Sequence, residues 1–240
     1  MIVKKFVSCI YLYRGHAVKS LSDTSVVETD PLRLVQLYNE NNVDELIVFD
    51  MSQGDEEHEA ALELLKEICA MAQMDVTGAG NIQRMEDVKK LLYAGCRRAV
   101  LDYEKESNIA LTETVAQKFG RNRILASYND PGVLDENREL LDQYISCLLL
   151  MNPHQIRETE RATGLPFYVQ INQIALNKLM EIFSHEHVCG VTGNTINDNC
   201  RDILALKNLC RENGIMVETL DAAYGWQDFK KNNDGLVPVV

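Results

Sequence analysis

The chain has 240 residues, with 24 Lys and Arg against 36 Asp and Glu and a formal net charge of −12. With 46% hydrophobic and 25% charged residues it holds the apolar material for a full core, which excludes a disordered or fibrous chain. Arg97-Arg98 and Lys230-Lys231 are isolated pairs rather than a basic patch, so nucleic-acid phosphates would repel this acidic chain.

Residues 3–12 are apolar and β-branched and predict a strand; residues 13–29 are polar and read as a loop. Asp30-Pro31 opens a helix that runs to Asn42, with Asp as N-cap and Pro in the first turn. A strand over 45–51 and a long helix over 55–71 follow. Next come a short strand over 74–77, ending in Gly78-Ala79-Gly80, and a helix over 85–94 closed by Gly95. Strands are predicted at 98–102, 123–128, 145–151, 166–171 and 187–192. The helices between and after them fall at 109–119, 135–143, 154–163, 175–184 and 199–213. About eight strand–helix units in one domain-length chain predict an α/β fold, a (β/α)8 barrel. A doubly wound open sheet is the alternative, because periodicity does not show closure.

Seven cysteines at scattered positions, with no CxxC, are not a disulfide framework or a zinc site. They suit a reducing compartment. No apolar stretch reaches the roughly 18 residues that span a bilayer, and the opening Met1-Ile2-Val3-Lys4-Lys5-Phe6 lacks a secretory h-region. The expectation is a cytoplasmic protein without a metal or cofactor.

The residues that carry a family likeness are Ser8-Cys9-Ile10, Gly15, Val18-Lys19, Asp30-Pro31, Tyr38-Asn39-Glu40 and the run 44–50. Gly78-Ala79-Gly80, the run 91–96 and Gly190-Val191-Thr192-Gly193-Asn194 complete the set. In these the chain resembles, over residues 1–217, the histidine-biosynthesis barrels: ProFAR isomerase and the cyclase subunit of imidazole glycerol phosphate synthase. The resemblance implies two phosphate sites holding a bisphosphorylated ribotide, and two acid–base carboxylates at the ends of strands one and five.

The chain departs from that pattern where it bears on chemistry. Tyr11 stands where the family's strand-one motif has Asp, and a phenol with pKa near 10 is a poor base at neutral pH. The strand-five acid falls near Tyr128; Asp130, two residues on, is either its substitute or a turn residue before Pro131. The family's glycine-rich turn after strand seven is replaced by Gln170-Ile171-Asn172-Gln173, and Met151-Asn152-Pro153-His154 follows strand six. Asp130 and Asp50 are therefore the candidate catalytic carboxylates. Gly78, Ala79 and Gly80, with Gly193, Asn194 and Thr195, are candidate phosphate contacts, because glycine turns and helix N-termini let backbone N–H groups reach an anion. The same turns are also explained by tight βα connections. Tyr11, Lys19 and Asp102 are further candidates at the same barrel face.

Past Gly214, residues 215–217 read as a short terminal strand, and 218–233 are largely polar. The run 229–240 resembles the opening of phosphoribosyl-AMP cyclohydrolase, so residues 218–240 are expected to be a linker and the first strand of a further, fused domain. The expected function is a histidine-biosynthesis-type barrel, catalytically impaired, that binds a phosphorylated ribotide or acts as scaffold. The alternative is an active, divergent ProFAR isomerase.

Overall fold

The computed structural model describes residues 2–171, 176–193, 203–218, 229–232 and 235–238. Strand β1 (Lys5–Tyr13) runs into an antiparallel hairpin of β2 (His16–Ser20) and β3 (Asp23–Glu28). Then follow α1 (Pro31–Glu40), β4 (Glu45–Asp50), α2 (Asp55–Met71), β5 (Asp75–Ala79), α3 (Met85–Tyr93), β6 (Arg98–Asp102) and α4 (Glu106–Phe119). The second half carries β7 (Ile124–Tyr128), α5 (Gly132–Glu136), α6 (Arg138–Tyr144), β8 (Cys147–Leu150) and α7 (Ile156–Ala162). It continues with β9 (Phe167–Gln170), α8 (Leu176–Ser184), β10 (Val188–Thr192) and α9 (Ile203–Glu212).

β1 and β4 to β10 pair in parallel, and β10 returns to β1, closing an eight-stranded barrel. Closure rules out the open sheet. The strands are buried on both faces, as parallel strands under helices must be: β4, β7, β8, β9 and β10 are buried at every position. Alternate residues divide between two cores. Val7, Cys9, Tyr11, Ile47, Phe49, Val100, Leu125, Leu149 and Tyr168 fill the barrel, while Ile10, Leu46, Val48, Leu101, Ala126 and Leu148 pack under the helices.

The N-terminal end of the barrel is closed by a charged floor. The Glu45 carboxylate accepts from Lys5 Nζ at 2.7 Å, from Tyr168 Oη at 2.8 Å and from Arg98 Nη2. The Arg98 guanidinium also lies 5.6 Å from the Tyr168 ring centroid. A second buried pair, Lys207 with Asp44, ties α9 to the start of β4.

Three departures from the sequence reading have physical causes. Residues 13–29, expected to be a loop, hold the β2–β3 hairpin. β10 pairs with β1 only at Lys5–Val7, which leaves the upper edge of β1 open, and β2 fills it from Tyr11 to Tyr13. Its two-residue turn, Arg14 at φ 49° and Gly15 at φ 78°, has the positive dihedrals that match the strand twist. Gly78 and Ala79, expected in a turn, belong to β5 itself. The short helix expected over 135–143 is two helices, α5 and α6, with Asn137 between them.

Val217 makes a parallel bridge to Lys4, with Lys4 N–H donating to the Met216 carbonyl at 2.7 Å, so the expected terminal strand docks at the foot of β1. Within the stretch read as a linker lies β11 (Phe229–Asn232), paired antiparallel with β12 (Gly235–Pro238) in a two-stranded sheet apart from the barrel sheet.

Candidate functional site

Barrel chemistry sits where the parallel strands end, because the βα loops gather there. Strand parity decides which side chains reach the lumen at that face. Tyr11 does: it is 1% exposed, its ring stacks on Phe49 with centroids 5.2 Å apart, and its phenol accepts from Gln170 Nε2 at 2.7 Å. Burial pushes the phenol far above its ordinary pKa, so it stays protonated at any working pH. Below it Cys9 Sγ lies 2.7 Å from Thr192 Oγ1, and burial pushes that thiol up to about 11. Val18 of the hairpin packs into the same interior cluster. The lumen position at this end of β1 is thus filled by a neutral, hydrogen-bonded phenol.

Asp50 has the opposite parity to Ile47 and Phe49 and turns toward α2. Its Oδ1 accepts from Ser52 N–H at 2.9 Å and from Ser52 Oγ at 2.5 Å, and its Oδ2 meets His58 Nδ1 at 2.5 Å. Asn81 Nδ2 donates to Ser52 Oγ at 2.8 Å and to the Ser52 carbonyl at 3.1 Å. His58 Nε2 is buried without a hydrogen-bond partner. Asp50, Ser52, His58 and Asn81 therefore form one polar cluster over the ends of β4 and β5. The sequence reading contained Asp50 but missed His58. Amid Asp55-Glu56-Glu57-His58-Glu59 it looks like one polar residue of a solvated helix start. The available signal was its place on the first turn of α2, directly after the loop that leaves Asp50.

The glycines differ from one another. A Cβ on Gly78 would stand 3.0 Å from Leu91 Cδ2 and 3.1 Å from Cys96 Sγ, so Gly78 serves the packing of α3 on the sheet. Gly80, at φ 90°, and Gly193, at φ 134°, lie past the ends of β5 and β10. Each abuts the neighbouring backbone: a Cβ would come 2.1 Å from the Asp50 carbonyl oxygen in one case and 1.9 Å from that of Ile171 in the other. Ala79 is buried in the barrel interior. Asn194 and Thr195 lie outside the described residues.

The remaining candidates stand apart from this cluster. Asp130 is exposed and its Oδ1 accepts from Gly132 N–H at 2.9 Å, the geometry of a turn residue opening α5. Tyr128, at the expected strand-five position, faces the helices and donates to Thr159 Oγ1 at 3.1 Å; the lumen side at that level is Ser127. Asp102 has lumen parity and is half-buried, with Lys105 Nζ at 3.5 Å. Lys19 is exposed on the hairpin, 3.3 Å from Asp23. His154 is exposed, its N–H bonded to Asn152 Oδ1. Among the described residues no group of three or more His, Cys, Asp or Glu is arranged to hold a metal ion, and no helix is long and apolar enough to cross a membrane.

Comparison with known proteins places this geometry. The family described as histidine biosynthesis protein matches residues 5–130, from β1 through the end of β7. The chain is 30% identical over 135 residues to imidazole glycerol phosphate synthase subunit HisF of Staphylococcus aureus strain Newman, and equally to that of strains USA300 and COL. The match takes in 55% of this chain and 54% of each relative, so the chain spans about half the length of the curated relatives it matches.

Proposed function

The chain belongs to the histidine biosynthesis protein family, and from that premise we propose that it is a ribotide-binding barrel whose acid–base chemistry is weakened. The observation that carries this reading is Tyr11: a buried, neutral phenol, held by Gln170, stands at the lumen position of the strand-one carboxylate. Losing one positioned acid–base group lowers turnover by about 10²–10⁴. Binding would rest on Gly80, just past the end of β5, and Gly193, just past the end of β10, with Asn194 and Thr195 as further proposed contacts. Gly80 and Gly193 support it because their positive φ values turn the chain sharply at the strand ends. Residues 218–240 would join this barrel to a phosphoribosyl-AMP cyclohydrolase-like domain. That reading is supported by β12, which pairs with β11 and not with a barrel strand.

A second reading, a divergent ProFAR isomerase, is favoured by the Asp50–His58 pair. Asp50 would fix the imidazole tautomer and leave Nε2 as the proton carrier, with Asp130, past the end of β7, as the other group. The two readings part in one assay. The purified chain is given the aminoimidazole carboxamide ribotide, with binding followed by calorimetry and isomerisation by absorbance. Binding with turnover at least about 10²-fold below a complete family site supports the first reading. Robust turnover abolished by His58→Ala or Asp130→Asn establishes the second, and absence of binding at millimolar ligand refutes both.

A further inference from the structure

The cysteines are scattered in sequence, but the fold brings Cys69 and Cys96 together. Cys69 Sγ, near the end of α2, lies 3.9 Å from Cys96 Sγ in the turn that enters β6. The approach is built into the backbone. Gly95, at φ 111°, has no side chain, and a Cβ there would stand 2.8 Å from Cys69 Cβ. Gly78 in β5 leaves the room that Cys96 Sγ occupies. Cys69 is half-buried, whereas Cys96 is 1% exposed. Arg123 donates from Nη2 to the Cys96 carbonyl at 3.4 Å, which fixes the turn that carries Cys96.

We propose that Cys69 and Cys96 are a peroxide-sensitive dithiol, with Cys69 the attacking and Cys96 the resolving thiol. Cys69 is the accessible member, and its sulfur–sulfur contact with Cys96, in which either thiol can donate, holds the Cys69 thiol below its ordinary pKa. That contact and burial together push Cys96 well above its own. The Cys69 thiolate attacks one oxygen of hydrogen peroxide. The O–O bond breaks, hydroxide leaves and takes up a proton as water, and Cys69 becomes a sulfenic acid. The Cys96 sulfur then attacks the Cys69 sulfur; the S–O bond breaks, a second water leaves carrying the thiol proton, and the disulfide forms. Two thiols are oxidised and one peroxide is reduced to two waters. The bond would staple α2 to the α3–β6 turn, behind the strand whose end carries Gly80 and Asn81.

A second close pair supplies the internal control. Cys147 and Cys189 have sulfurs 3.7 Å apart inside the barrel, yet both are buried. Exposure, not separation alone, therefore ranks the pairs.

The test treats the full chain with graded hydrogen peroxide, alkylates the remaining thiols and maps peptides by mass spectrometry without reduction. The expected result is a Cys69–Cys96 cross-link before any other, reversed by dithiothreitol, with a thermal midpoint raised by about 5 °C. In Cys96→Ser, Cys69 should stop at a sulfenic acid that dimedone traps; circular dichroism checks that the variant is folded. Should that variant not fold, the wild-type peptide map decides alone. A first cross-link at Cys147–Cys189 or to Cys200 would overturn the proposal. So would Cys69 passing to sulfinic acid while Cys96 remains alkylatable, or both thiols staying reduced.

Discussion

The two ends of the barrel solve opposite problems with the same residue types. At the floor, Glu45 points into the lumen and is matched by Lys5, Arg98 and Tyr168. At the mouth, the lumen position of β1 holds Tyr11, while Asp50 turns outward to Ser52 and His58, and Asp130 closes a turn. A carboxylate inside a barrel persists where cations surround it, since an unpaired buried charge is costly. The comparison teaches that charge alone does not mark chemistry. Here the inward carboxylate with the most partners belongs to the structural end, while the opposite end carries the neutral Tyr11 and Ser127 on its lumen side and a single half-buried carboxylate, Asp102, beside Lys105.

Glu45→Gln should strike this contrast hardest. It leaves the largely buried Arg98 without its carboxylate and Lys5 with only Glu218 at 3.6 Å, and a loss of about 3–5 kcal/mol is expected by urea unfolding. The pH dependence has a definite sign. Burial alone would raise the Glu45 carboxyl, but Arg98 and Lys5 outweigh it and hold it below the usual glutamate range. The unfolded chain therefore binds this proton at higher pH than the folded one. The stabilisation is complete above the ordinary glutamate pKa and drains away as pH falls through the folded value. Thermal midpoints measured from neutral into acid should fall more steeply in wild type than in Glu45→Gln.

At the mouth the effects shrink. Gly80→Ala should cost about 2–3 kcal/mol, because alanine resists φ 90° and its Cβ meets the Asp50 carbonyl. A neutral result there would mean that the Asp50–Asn81 cluster is easily rearranged. Tyr11→Phe should cost about 1–2 kcal/mol by stranding the Gln170 donor, without lowering whatever turnover the chain has. A loss of turnover in that variant would give the phenol a chemical part and end the contrast. Asp130→Asn should leave stability within about 0.5 kcal/mol, as its amide oxygen keeps the turn bond.

The barrel was legible because its signal is repeated: runs such as Glu45–Asp50 are long enough to cross a buried sheet, and each is followed by an amphipathic segment. The hairpin was not, because Arg14-Gly15 lacks the Asn-Gly or Asp-Gly that marks such turns in sequence, and β3 is largely exposed. At the site, the replacement at Tyr11 was legible from the strand-one motif. The environment of Asp50 was not. Counting by twos from Glu45 and Ile47 puts Phe49 inside and Asp50 outside, a parity that becomes decisive only once the sheet is known to close. His58 was hidden for a different reason: its partner lies across a loop, and an imidazole among four carboxylates gives no periodic sign of burial.

The hairpin also bears on how the rim can move. Tyr11 and Leu12 are laced on both edges, to Phe49 and Asp50 on β4 and to Val18 and Ala17 on β2. The first βα connection is therefore not a free strap but a rigid parapet, and admitting a ligand past it by local fraying would break cross-strand bonds on one side. Its amides at Tyr11 and Tyr13 should exchange with solvent deuterium as slowly as those of the buried strands, before any ligand is added. Access to the lumen must then be set by the other loops, with this edge of the entrance standing fixed.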